Sequence, residues 1–277
     1  MRNIPASMDP DVVRAIDARL DRVEEEHGIR VLWAIESGSR AWGFPSPDSD
    51  YDCRFLYVRR AGDYLSLRAR RDVVETPLDK VFDVNGWDVR KALGLMVKGN
   101  ATVGEWLRSP IVYRGDVAFR DDLLALAEDV VDQDALRKHY VHVARNNLAL
   151  LASSGVTKKF FYALRPAVTL RWMRLRETTA PPPMDLPTLA AGSALPEGLG
   201  ALVDELIGRK SRIREMGSIV VQDALLDFVE TELRTAEAML PDSRSPGTGE
   251  ARERAWTLAE AAFRRLIGDP SGAVTAG

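Results

Sequence analysis

The stretch ESGSRAWGFPSPDSDYDCRFLYV, residues 36–58, joins a Gly-Ser pair to a run of aspartates that leads straight into an apolar segment. Residues 51–58 are aromatic and β-branched and predict a strand. Residues 29–37, IRVLWAIES, predict a second, buried strand. Residues two apart on a strand point to one face, so Asp50 and Asp52 are expected side by side at the strand's mouth. Ser, Pro and Asp over residues 46–49 are explained by turn chemistry, and Asp48 reads as a turn residue. A turn does not explain Asp52 inside an apolar strand. Carboxylates this close repel each other and are costly unless a cation neutralises them.

Working outward, Asp9-Pro10 predicts a helix start, and Val12, Val13, Ile16, Leu20 and Val23 repeat at helical spacing as far as Gly28. Residues 72–76 and 78–87 predict two further short strands. Asp88 then stands where a cap for a helix over 89–98 is needed, and a short helix over 103–107 follows. RSPIVY, residues 108–113, reads as an interdomain strand or turn. Beyond about residue 115 the pattern becomes helical, with amphipathic stretches over 119–131, 133–153, 157–176 and 223–239. A Pro-rich connector at 178–187 and a break at 240–250 interrupt it, and 271–277 reads as a frayed end. The outline is an α+β unit over residues 1–114 followed by an all-helical unit over 115–270.

Composition narrows the class. Apolar residues make up 45% of 277 residues, enough for a buried core, and a net charge of −3 gives no overall basic field. The lone Cys53 cannot form an internal disulfide and reads as a buried, inert thiol. No run approaches the length of a membrane span, and the N-terminal residues have no signal-like apolar core. The expectation is a cytoplasmic protein with no membrane partner.

Two Mg²⁺ ions, or Mn²⁺ in their place, would neutralise Asp50 and Asp52 and suit a phosphoryl transfer. Gly38 lets backbone approach a phosphate closely, and Ser39 and Arg40 add donors, so these three are expected at the phosphates of a nucleotide. A calcium loop is excluded, because Cys53 stands where its glycine is required and Arg59 where its final Glu is. His139 and His142 lack a zincin partner Glu, and Trp42 is expected either to stack on a base or to pack beneath its loop. Residues 135–176 contain no Asp or Glu and many Lys and Arg. One reading is a solvated face paired with acids elsewhere. The other is a wall for triphosphate or RNA backbone, with Lys158, Tyr162 and Arg165 on one helix face and Lys159 beside them. Pro166 is expected to kink or restart that helix.

Gly-Ser, ten residues, then Asp-x-Asp at a strand start resembles the signature of the DNA polymerase β-like nucleotidyltransferase superfamily. With DVNGWDVRKAL, EWLRSPIVY and KKFFYALRP downstream, the chain from Val31 to Trp172 is similar to a branch associated with RNA ligase and RNA repair, the YcgL/RlaP type. That resemblance implies a nucleotidyltransferase domain with a mixed sheet and a helical domain closing the nucleotide cleft. It implies an NTP substrate, an RNA 3′ end as acceptor and a third metal carboxylate on a later strand. Asp83 is favoured for that role, as helper of the catalytic ion and acceptor of the nucleophile's proton, over Asp88. Transfer of AMP to a protein or small molecule, and a catalytically silent nucleotide-binding or antitoxin-like module, are the alternatives.

Overall fold

The first helix shows how closely local sequence signals set its ends. In a computed structural model that describes residues 1–77, 81–154, 158–176, 178–212, 221–241 and 249–268, α1 (Pro10–His27) begins where Asp9 accepts the N–H groups of Asp11 and Val12, and stops at left-handed Gly28. Both caps satisfy backbone groups that a helix terminus leaves open. The chain continues through β1 (Arg30–Glu36), α2 (Gly38–Ala41), β2 (Tyr51–Val58), α3 (Ala61–Tyr64), β3 (Val73–Glu75) and β4 (Phe82–Asp88). Next come α4 (Val89–Val97), α5 (Ala101–Leu107), β5 (Val112–Gly115) and α6 (Val117–Val130). The remaining helices are α7 (Gln133–Ser154), α8 (Lys158–Leu175), α9 (Leu186–Ala191), α10 (Leu199–Lys210), α11 (Asp223–Ala238) and α12 (Gly249–Gly268). Residues 78–80, Thr157, most of the break at 240–250 and the tail at 271–277 lie outside the described residues.

The sheet runs β3-β4-β2-β1-β5. Its central β2–β4 pair is parallel and the other pairs are antiparallel, so the sheet is mixed and the fold is α+β. RSPIVY supplies the edge strand β5, paired with β1. One face of the sheet packs on α1, burying Ile16, Leu20, Cys53, Phe55 and Tyr57. The opposite face, with Leu56, Val58 and Ile35, is covered by α4, α5, α6 and α12. The cores therefore do not divide between residues 114 and 115. The helices before 114 are too short to cover that apolar face, and α6 and the distant α12 complete it. A separate helical layer of α7 to α11 has its own core.

Pro166 does not break α8. Phe160, Phe161, Leu164, Ala167 and Val168 are buried on both sides of it, and that burial overrides a missing N–H. The layers are joined by a buried ion pair. Arg165 on α8 donates to both carboxylate oxygens of Glu105 on α5, at 2.9 and 3.2 Å, and the Tyr140 hydroxyl donates to the same group. No described helix is long and apolar enough to cross a membrane. Glu105→Ala leaves the Arg165 guanidinium buried without its counter-ion, which costs about 3–5 kcal/mol. Urea unfolding is expected to show that loss, and a variant as stable as wild type would remove the pair from the structural account.

Candidate active site

The parallel pairing of β2 with β4 sets Asp52 directly beside Asp83, as Cα partners in the register. Side chains alternate along each strand, so Arg54 shares the face of Asp52 and Asn85 that of Asp83. Arg54 Nη2 bridges the two carboxylates, 3.1 Å from Asp52 Oδ1 and 2.9 Å from Asp83 Oδ2. Asn85 Nδ2 donates to both Asp83 oxygens, at 2.8 and 2.9 Å. Among the described residues, a guanidinium and an amide thus offset the repulsion between the paired carboxylates. Asp88 sits five residues farther along, opposite Tyr57. There it accepts the Arg90 N–H as cap of α4 and the Tyr64 hydroxyl, and burial raises its pKa. Of the two candidates for a third carboxylate, Asp83 meets Asp52 and Asp88 does not. Asp50 is exposed, one residue ahead of β2, and its carbonyl accepts from Arg40. Among the described residues no three His, Cys, Asp or Glu side chains stand close enough together to hold a metal. The pair Asp52 and Asp83, with Asp50 at the strand's mouth, is an all-oxygen donor set, the chemistry that Mg²⁺ takes when waters and phosphates fill the remaining positions.

Gly38 lies against this pair. Its φ is +62°, and a Cβ there would overlap Asp52 Oδ2. The preceding Ser37 N–H donates to the Asp52 carbonyl at 2.8 Å. Glycine is required both for the left-handed backbone and for the space beside the carboxylate. The side chains that follow hold the loop. Ser39 Oγ donates to Ser49 Oγ at 2.9 Å in a buried position. Arg40 lies 3.8 Å over the Tyr51 ring and donates to the Ser49 and Asp50 carbonyls. The polar loop over 46–50 needs these donors, so the groups that sequence spacing suggests for phosphates are engaged in positioning the loop.

Beyond α2 the chain docks on the helical layer. Trp42 meets the Tyr162 ring edge-on at 5.3 Å, with the Arg165 guanidinium 4.5 Å over its face. Phe44 stacks on Phe161 at 4.8 Å, and its carbonyl accepts from Lys210 Nζ. Trp42 and Tyr162 therefore pack against each other, and Arg165 is held by Glu105. Lys159 sits 5.8 Å from the Tyr162 ring centroid, and the Lys158 side chain lies outside the described residues. Most of the basic stretch pairs with acids: Arg145 with Glu230 and Glu237, and Arg171 and Arg174 with Glu232. These acids lie on α11, which explains how a segment without Asp or Glu is neutralised.

Three residues of the site escape a reading of spacing for ligands. Period two would have found Arg54 beside Asp52 and Asn85 beside Asp83. No local signal points to Glu36. It is fully buried, and its carboxylate accepts the Asp52 N–H at 2.9 Å and the Tyr113 hydroxyl at 2.6 Å. Burial pushes its pKa up to about 7, against the pull of those two donors. Cys53 is buried with its thiol pushed up by the same cause, in keeping with an inert side chain.

The profile of RlaP, described as an RNA repair pathway DNA polymerase beta family, matches residues 12–260. A Bacillus subtilis (strain 168) protein described as uncharacterized protein YcgL is 39% identical over 222 residues, covering 79% of this chain and 84% of that protein. A nucleotidyltransferase-like protein from Exiguobacterium sibiricum 255-15 overlays with a TM-score of 0.32 and 11% identity, across 91% of this chain and 92% of its own. So loose an overlay carries no argument about the site.

Gly38→Ala must adopt a left-handed backbone at a cost of about 1–2 kcal/mol and also displace the Asp52 carboxylate. A lowered urea midpoint is expected, and an unchanged one would contradict the close approach. The raised Glu36 pKa has a defined sign. The folded state keeps a proton that the unfolded chain releases near its ordinary value of 4.5, so this stabilisation is complete below that pH and lost as pH rises through about 7. Wild type should lose up to about 3 kcal/mol more than Glu36→Gln between about pH 5 and pH 8. Parallel unfolding curves at the two pH values check this, and equal slopes would refute it.

Proposed function

This chain belongs to the RNA repair pathway DNA polymerase β family, and from that premise we propose that it is a Mg²⁺-dependent nucleotidyltransferase. It transfers NMP from an NTP to a hydroxyl, with an RNA 3′ end as acceptor, and releases pyrophosphate. The observation that carries this reading is the meeting of Asp52 and Asp83 on adjacent parallel strands, with Gly38 leaving space against Asp52. Asp52 and Asp83, which meet, and Asp50, which would have to turn toward them, are the residues assigned to divalent ions, with Mn²⁺ expected to substitute for Mg²⁺. When bound, such ions neutralise the triphosphate and the developing charge at phosphorus.

The remaining steps belong to the chain's own groups. The acceptor hydroxyl forms a bond to the α-phosphorus as the bond to the bridging oxygen of the β-phosphate breaks. Asp83 takes the hydroxyl proton. Gly38 admits the phosphates close to the backbone, while Ser39 and Arg40 hold the loop that frames them. The helical layer forms the opposite wall of the cleft, and α2 is tied to it through Trp42 and Phe44. Lys158 and Lys159 are the basic residues assigned to the triphosphate, and Lys159 has no ion-pair partner among the described residues. Tyr162 and Arg165 shape that wall. We assign the reaction to the cytoplasm, where NTP and RNA would both be at hand.

Pyrophosphate release measured with Mg²⁺ and each of the four NTPs, with and without small RNA, tests the assignment. Release that depends on RNA is the expected result. Label transferred to protein would redirect the acceptor, and nucleotide binding without any release would leave a binding module. Asp50→Asn and Asp52→Asn should each bring release below detection while the melting temperature stays near that of wild type. Turnover retained in the double variant would exclude these carboxylates from the chemistry.

A further inference from the structure

Arg54 carries an inference beyond the transfer reaction itself. A single nitrogen of its guanidinium, Nη2, touches both Asp52 Oδ1 and Asp83 Oδ2, and so occupies the point where one cation would neutralise both carboxylates. The other terminal nitrogen, Nη1, donates to the Cys53 and Asp83 carbonyls at 3.0 and 3.2 Å. The group is thus pinned to two backbone carbonyls on adjacent strands while its second arm spans the carboxylates. Asn85 occupies both Asp83 oxygens from another direction. An incoming divalent ion meets a fixed positive charge within contact distance of the two carboxylates, and like charges at that range disfavour one another. The side chain is partly exposed, so the whole guanidinium has room to swing off the pair, giving up its two carbonyl contacts as it does.

We propose that Arg54 is a built-in counter-cation that holds Asp52 and Asp83 together in the metal-free chain and must release them before a divalent ion binds. This rests on the reading of those carboxylates as metal ligands. Arg54 is a positioning residue here. It keeps two repelling groups in register on β2 and β4, and it makes loading by bare metal weak. The polyphosphate of a nucleotide offers the freed guanidinium another acceptor, with the bidentate geometry that Arg prefers. Metal and nucleotide therefore load together, and the chain resists holding a metal without its substrate.

The test is Mn²⁺ titration without nucleotide, with free Mn²⁺ followed by electron paramagnetic resonance, on wild type, Arg54→Gln and Arg54→Lys. Arg54→Gln should bind Mn²⁺ about tenfold more tightly, on the scale by which groups touching metal ligands tune affinity. Its melting temperature without metal should fall, and Mn²⁺ should restore it. Arg54→Lys, which keeps the charge, should stay near wild type. Addition of α,β-methylene ATP should tighten Mn²⁺ binding to wild type more than to Arg54→Gln.

A folded Arg54→Gln that binds Mn²⁺ no more tightly than wild type overturns the proposal and leaves the metal reading standing. Absence of Mn²⁺ binding in both proteins overturns the metal reading and the proposal with it. If Arg54→Gln does not fold, wild type supplies the answer. The Arg54 guanidinium NMR signal, assigned by its loss in Arg54→Lys, should shift when Mg²⁺ and the ATP analogue are added together. An unmoved signal at saturation refutes displacement.

Discussion

Two carboxylates on neighbouring parallel strands are an unfavourable thing for a fold to make, and much of the N-terminal half of this chain is organised around that pair. Asp52 and Asp83 are brought together by backbone pairing, not by mutual attraction. Arg54 and Asn85 then supply the donors that make the arrangement tolerable. Behind the pair, Glu36 fixes the Asp52 backbone from the opposite face, through a carboxylate that itself leans on Tyr113. In front, Gly38 is the residue that can sit against Asp52 without collision. Each neighbour is intelligible as a consequence of placing Asp52 where it stands.

The helical layer serves this site by holding its loop. The chain between Gly38 and β2 is short of regular structure, and to the bonds of Ser39 and Arg40 it adds contacts made after it leaves α2. Trp42 and Phe44 insert among Phe161, Tyr162 and Arg165. Arg165 in turn is tied to Glu105 on α5, whose neighbours Val103, Trp106 and Leu107 pack beneath the sheet. A continuous path of buried contacts therefore joins the core of the helical layer to the core beneath the carboxylates. Arg165 and Tyr162 both belong to this path, Arg165 through Glu105 and Tyr162 through Trp42.

The legible part of the sequence was local. Asp9, Pro10 and Gly28 bound α1 because capping depends only on groups within a turn of each other. Asp88 was readable as a cap for the same reason, and its raised pKa and buried bonds belong to that structural duty. The Gly-Ser and Asp-x-Asp spacing pointed to the loop and strand on which Gly38 lies against Asp52. The basic stretch over 135–176 was less readable. Charge along a helix says nothing of which acids face it, and Glu105, Glu230, Glu232 and Glu237 reach it from other elements.

What the sequence determined by itself was the central strands, the first helix and the long helices of the middle of the chain, together with the chemistry at the mouth of β2: a strand opening on aspartates, with a glycine poised before it. Hydrophobic period and capping are properties of a few consecutive residues, and they survive without the rest of the chain. Tertiary structure alone decided which aspartate became the partner of Asp52, because that depends on the parallel register of two strands separated by a long connection. It also decided that α6 and α12 belong beneath the sheet and that Glu36 is buried against Tyr113. Those outcomes follow from which apolar faces find cover and which polar groups are left to pair within it. Only the assembled chain can settle such competitions.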